Sequence, residues 1–151
     1  MTRPFYHDGM REWQDRTDGR RVADALEAHR LHREFWADDR EMIEAAPFFF
    51  IATGHGEHMD CSIRAGDPGF VKILDGATLE WPEYDGNSMF RTLGNIARNP
   101  NVGLLFLRFD GQSRRIRISG TATIHGDANR VVRVACKEIY PNCPRYIPDL
   151  V

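Results

Sequence analysis

Apolar positions change their spacing twice along this chain. Residues 1–17 are polar and irregular, with Phe5, Tyr6 and Trp13 as isolated anchors. From Arg20 the spacing is helical: Val22, Ala25, Leu26 and His29 share a face, with Leu31 and Phe35 close by it. A helix is predicted over 20–36, capped by Thr17 or Asp18. Asp38 and Glu41 stand at capping-box spacing for a second, short helix. It ends near Ala46, because Pro47 disfavours helix in the residue before it.

Beyond Pro47 the period shortens towards two. The aromatic run PFFFIATG at 47–54 predicts a buried strand, and 59–65 a second strand after the turn HGEH. Gly66-Asp67-Pro68-Gly69 is turn chemistry. Strands at 70–74 and 78–81 join across Asp75-Gly76. After a loop at 82–86, Phe90, Leu93 and Ile96 recur at helical spacing, which predicts a helix over 88–98 that ends at Asn99-Pro100. Residues 102–109 read as a nearly continuous apolar strand, and Asp110-Gly111 as a hairpin. From 114 to 124 the alternation is clean. Ile116, Ile118, Ala122 and Ile124 face one way, and Arg115, Arg117, Ser119, Thr121 and Thr123 the other. Asp127 caps a last predicted helix over 127–139.

These elements imply an α+β chain, mainly β with flanking helices. About six antiparallel strands in hairpin order close as a small barrel. One domain is expected over 1–151: a helical segment at 1–46, a barrel core at 47–125, and a C-terminal helix and tail at 126–151. A chain of 151 residues is long enough to bury a sizeable core.

Composition narrows the function classes. A formal charge of −2 gives no basic footprint for nucleic acid. No run of eighteen apolar residues predicts a membrane span. The start MTRPFYHDGMREW lacks the apolar core of a signal peptide, and Cys61, Cys136 and Cys143 are an odd, sparse set. Reduced thiols in a cytoplasmic protein are the expectation. His55, His58 and Cys61 have spacing that suggests a metal site. However, they straddle a turn and no fourth ligand is obvious, so solvent-facing histidines and a core thiol are preferred. No metal is expected. Cys136 and Cys143 read as packing residues, and no serine or cysteine sits in a triad motif.

The stretch from Asp60 to Pro100 concentrates groups that could hold a phosphate and a flat ring. Its motifs are DCSIRAGDPGFV at 60–71, TLEWP at 78–82 and GNSMFRTLGNIARNP at 86–100. With GLLF at 103–106 and RISGTA at 117–122, they resemble the pyridoxamine 5′-phosphate oxidase-like superfamily of FMN-binding split β-barrels. The resemblance covers roughly residues 45–125. PNCPRYI at 141–147 and the leader YHDGMREWQDR are similar to segments of uncharacterised flavin-nucleotide-binding members. The resemblance implies a homodimer with FMN sites at the interface. True pyridoxine-phosphate oxidases carry a C-terminal arginine, histidine and tryptophan motif. Nothing like it follows Arg145, so the vitamin B6 reaction is not implied.

A flavin nucleotide needs donors and positive charge for its phosphate, a flat slot for its ring, and an open reactive face. Arg64 lies on a strand before a Gly-rich turn, with Ser62 on the same face. It reads as a phosphate ligand or as an exposed strand arginine whose loss leaves the fold intact. Asn87, Ser88, Arg91 and Thr92 lie at a predicted helix start, where amides and the dipole favour an anion, although Asn87 and Ser88 also suit plain capping. By the resemblance, Arg91 and Thr92 occupy the family's basic phosphate pair. Threonine carries no charge, so Arg64 and Arg91 must supply it. Asn95 follows on the same helix, for ligand or for the neighbouring loop. Val71, Lys72 and Ile73 could meet the ring edge, with Lys72 stabilising charge at the pyrimidine end or simply exposed. Trp81 and Pro82 border the ring, or Trp81 is core. No general acid or base stands out.

Three readings follow. The first is an FMN-dependent oxidoreductase acting on an unidentified small molecule, with a donor such as NAD(P)H. The second is a non-catalytic flavin- or haem-binding or sensing module. The third is a structural dimer with an empty pocket.

Overall fold

A computed structural model of the chain describes residues 3–84, 86–111, 115–141, 143 and 147–150. Residues 112–114, which follow the predicted Asp110-Gly111 hairpin signal, and most of PNCPRYI lie outside the described residues. The chain divides into two compact units, one ending at Leu31 and the other beginning at His32.

The first unit is a helical hairpin of α1 (Asp8–Asp15) and α2 (Gly19–Arg30). Helix α1 falls in a segment expected to be irregular. Its cap is unusual: His7 Nδ1 accepts the amides of Gly9 and Met10. Histidine is not a strong N-cap signal, which is why sequence reading passes over it. Tyr6 Oη donates to the Ala23 carbonyl at 2.8 Å, and Arg11 pairs with Asp24 at 2.7 Å, so the two helices hold each other. Helix α2 ends at Arg30, short of the predicted 36, because Leu31 is already extended.

The second unit opens with α3 (Ala37–Ala45), where the Trp36 amide donates to the Asp39 carboxylate at 2.8 Å. This Asp39 bond closes the first turn, and the expected Asp38–Glu41 box does not. Then come β1 (Phe48–His55), β2 (His58–Ala65), β3 (Lys72–Ile73) and β4 (Thr78–Pro82). Helix α4 (Arg91–Arg98) precedes β5 (Asn101–Leu107), β6 (Arg115–His125) and β7 (Val131–Pro141).

Strand β7 corrects the predicted C-terminal helix at 127–139. Val132, Val134 and Cys136 are buried at every second residue, and the segment is rich in β-branched residues. It pairs along β6 on one side and β4 on the other, so a central strand's partners override the helical cap at Asp127. The β6–β7 ladder shifts register between Ser119 and Gly120. Here a Cβ on Gly120 would run into the Ala135 carbonyl, so only glycine fits the close approach.

The described strands form one antiparallel sheet, in the order β2-β1-β5-β6-β7-β4-β3. The fold class is the expected α+β antiparallel one, with seven strands rather than about six. The hydrogen-bonded ladder does not close, because β2 and β3 remain its two edges. Side chains bridge the gap instead, since Arg64 on β2 reaches Glu83 just beyond β4. The core sits inside this curl. Phe49 packs against Trp81 with ring centroids 4.8 Å apart, edge to face, and against Phe106 at 5.0 Å. Ile43, Leu79, Val132 and Val134 are fully buried around them.

Cys136 belongs to this core, and burial pushes its thiol up to about 12. Cys61 was expected in the core, but it is exposed on the outer face of β2. Cys143, also expected to pack, is exposed.

Candidate functional site

Strand β2 supplies one wall of an open cleft of about 350 Å³. Period two sorts its residues: Asp60, Ser62 and Arg64 are half-buried towards the cleft, and Cys61, Ile63 and Ala65 are exposed. The segment after β4, the loop at 86–90 and the first turn of α4 supply the other walls.

The β2 wall is locked by a buried carboxylate. Arg64 Nε lies 3.0 Å from each oxygen of Glu83, and Nη2 lies 2.7 Å from Oε1. Glu83 also accepts the Trp81 indole N–H at 2.7 Å. Its side chain is only 4% exposed. A carboxylate this deep is tolerable only with such partners. On its other side, Arg64 Nη1 donates to Ser62 Oγ and to the Ile63 carbonyl, each at 3.0 Å.

The α4 wall is looser. Helix α4 starts at Arg91, and its N-cap is Phe90, which has φ 52° and makes no side-chain cap bond. The first helical bond joins the Gly94 amide to the Phe90 carbonyl at 2.8 Å. The amides of the first turn thus have no carbonyl a turn earlier to take them. Asn87 does not cap the helix, because its Oδ1 accepts the Met89 amide at 3.1 Å, inside the loop. Ser88 has φ 61°, so this loop holds two non-glycine residues in the left-handed region. Arg91 Nε donates to Asp60 Oδ1 at 2.9 Å, and Nη2 to the Met59 carbonyl at 3.2 Å. Ser62 Oγ and Thr92 Oγ1 stand 3.4 Å apart and link the two walls.

The structure therefore brings Ser62, Arg64, Pro82, Asn87, Arg91 and Thr92 to one cleft. The other expected positions do not line it. Val71 and Trp81 are buried core residues, Lys72 is exposed opposite Glu80 in the short β3–β4 ladder, and Ile73 packs on the core. Asn95 is buried, and its Nδ2 donates to Thr53 Oγ1 and the His58 carbonyl, each at 3.1 Å. It fixes α4 to the β1–β2 hairpin. Arg64 is not the exposed strand arginine of one reading, because its side chain is 22% exposed and paired with Glu83.

Glu83 and Asp60 are the residues that sequence reasoning missed. For Glu83 there was a signal. The alternation that buries Leu79 and Trp81 carries Glu83 to the same face, and a carboxylate at a core position needs a cation nearby. Asp60 had none, because its role depends on where α4 places Arg91.

Two cations and two carboxylates meet here, so the cleft presents ordered donors rather than net positive charge. Among the described residues, neither histidine nor cysteine lines it. Among the described residues no three His, Cys, Asp or Glu side chains gather as a metal site. His55 and His58 are exposed partners in register at the β1–β2 turn. No described helix is long and apolar enough to cross a membrane.

The family model for pyridoxamine 5′-phosphate oxidase matches residues 35–149. No curated protein matches the chain. Among solved structures, it is similar to HupZ of group A Streptococcus, with TM-score 0.52, 18% identity, and coverage of 71% of this chain and 98% of that one. It is similar to a FAD-binding protein of Mesorhizobium loti, with TM-score 0.52, 12% identity, and coverage of 72% and 94%. An FMN-binding protein of Syntrophomonas wolfei matches with TM-score 0.51, 11% identity, and coverage of 88% and 93%. These likenesses show the fold alone.

Proposed function

We propose that this chain, which belongs to the pyridoxamine 5′-phosphate oxidase family, binds FMN in the cleft between β2 and α4 and works as an FMN-dependent oxidoreductase on a small molecule. One observation carries the reading. The side-chain-uncapped start of α4 opens onto the same cleft as Arg64 and Ser62. Free first-turn amides, a helix dipole, two guanidinium groups and two hydroxyls make a donor set that suits a phosphate. Bound FMN would supply hydride and electron transfer. The chain would hold the phosphate through Arg64, Ser62, Arg91, Thr92 and the α4 amides, and would leave the ring towards the outer surface.

That outer surface supports a homodimer. Strand β2 is a sheet edge, and Met59 (66% exposed) and Ile63 (53%) point outward from it. Tyr84, Met89 and Phe90 are exposed around the same cleft. A row of apolar side chains beside a half-built ring slot suits a second copy that covers both. A cytoplasmic location fits reduced thiols.

The test is FMN titration of the purified chain by fluorescence quenching, alongside light scattering. Expected are saturable binding, a dimer mass, and bleaching of the bound flavin by NAD(P)H in the absence of oxygen. A chain that binds no FMN overturns the reading. Bound flavin without turnover with any donor leaves a carrier or sensor and removes the enzyme.

A further inference from the structure

We infer that Glu83 is a positioning residue for the phosphate wall, acting through Arg64 and Ser62. The inference rests on the FMN reading above.

Glu83 is anchored to parts of the molecule that do not move easily. It accepts from the indole of Trp81, which is 1% exposed and packed edge-on against Phe49. Its own amide donates to the Arg130 carbonyl at 2.9 Å, which ties it to the β6–β7 turn. From that fixed point it takes the Nε and Nη2 edge of Arg64. A guanidinium is planar, so holding one edge sets the direction of all five N–H bonds.

The consequence passes on to Ser62. Nη1 donates to Ser62 Oγ, so that oxygen is already an acceptor and its own hydrogen is left to donate. Across the cleft stand Thr92 Oγ1, at 3.4 Å, and any phosphate oxygen that enters. The ordered output of Glu83 is thus one Nη2 hydrogen and one hydroxyl hydrogen, aimed from a neutral ion pair.

This assignment predicts a sign. If charge alone governed the site, a buried carboxylate beside the phosphate would repel it, and Glu83→Gln would tighten FMN. If Glu83 acts by ordering donors, Glu83→Gln loosens FMN. Riboflavin lacks the phosphate and separates positioning from general damage.

The experiment titrates the full chain and its Glu83→Gln, Glu83→Asp and Ser62→Ala variants with FMN and with riboflavin, with circular dichroism as the folding control. The FMN-to-riboflavin affinity ratio is expected to fall about tenfold in Glu83→Gln, the scale of one charge-assisted hydrogen bond. Glu83→Asp keeps the charge but withdraws the carboxylate, and should fall in the same direction. Should Glu83→Gln not fold, Glu83→Asp and Ser62→Ala decide. FMN binding unchanged or tighter in the Glu83 variants overturns the inference, as does equal loss of both flavins. Ser62→Ala with an unchanged ratio also overturns it, because the relay then ends nowhere. If the parent itself binds FMN no better than riboflavin, the phosphate reading falls first and takes this inference with it.

Discussion

Two arginine–carboxylate pairs face each other across one cleft, and they are not equivalent. Arg64 and Glu83 have side chains 22% and 4% exposed, whereas Arg91 and Asp60 are 46% and 19% exposed. The chemistry is the same, but the surroundings differ. Water has largely left the first pair, so each charge depends on the other. Water still reaches the second, so its attraction is screened and its geometry adjustable. One wall of the cleft is therefore built into the core, and the other can exchange partners when a ligand arrives.

Breaking the buried pair should have the largest effect. Arg64→Ala strands a charged Glu83 beside Trp81, and unfolding by urea should show a loss of about 3–5 kcal/mol. The pairing with Glu83 corrects the picture of Arg64 as an exposed strand arginine, and this loss would show that the fold cannot spare it. Replacing both partners, Arg64→Met with Glu83→Met, should recover most of that loss, because the uncompensated charge goes with the pair. A double variant no more stable than Arg64→Ala would show that the cost lies in lost packing instead.

The exposed pair should respond differently. Asp60→Asn should change stability by less than about 1 kcal/mol. It should also tighten FMN several-fold, because Arg91 no longer has a competing carboxylate. Weaker FMN binding in Asp60→Asn would mean that Asp60 orients Arg91 much as Glu83 orients Arg64, and the contrast would disappear. Salt gives a milder test: raising sodium chloride should erode the FMN contribution of Arg91, read as the parent-to-Arg91→Ala ratio, more than that of Ser62.

The smallest effect concerns two thiols, one on the outer face of β2 and one on the buried face of β7. Cys61 points outward and is exposed, whereas Cys136 is buried with its thiol pushed up to about 12. A thiol reagent at neutral pH should label Cys61 within the native state and Cys136 only on unfolding. Burial disfavours the thiolate, so the reactivity of Cys136 should appear only as pH rises towards that value. Early labelling of Cys136 would mean that β7 opens readily.

Much of this was legible from residue types alone. The strong alternation of β6, the aromatic run of β1 and the Pro47 stop each specify their element locally, and the structure has them within a few residues. Strand β7 was not legible, because Asp127 offers a helix cap and the decisive fact is the pair of neighbours that hydrogen-bond it. The site divides in the same way. That Ser62, Arg64, Arg91 and Thr92 meet at one cleft was readable because strand period and helix start place them. The expected ring-edge residues do not line the cleft, because β3 is only two residues long, Val71 turns into the core, and Trp81 is used to hold Glu83. Asp60 was invisible because its partner Arg91 lies 31 residues away, and no local rule pairs them.

The position of β7 bears on how the molecule is made. Among the described strands it alone hydrogen-bonds both β4 and β6, and so joins β4 and β3 to the block of β2, β1, β5 and β6. During synthesis the first four strands leave the ribosome with β4 lacking its permanent neighbour, and only the arrival of β7 supplies it. Until then Glu83 cannot settle opposite Arg64, so the cleft is among the last parts of the molecule to exist. A nascent chain stalled near Arg130 should hold a β1–β2–β5–β6 sheet with a protease-sensitive β3–β4 hairpin and no flavin affinity. The binding site thus depends on the non-local pairing of β4 with β7, so the docking of that last strand and the appearance of flavin affinity should be the same event.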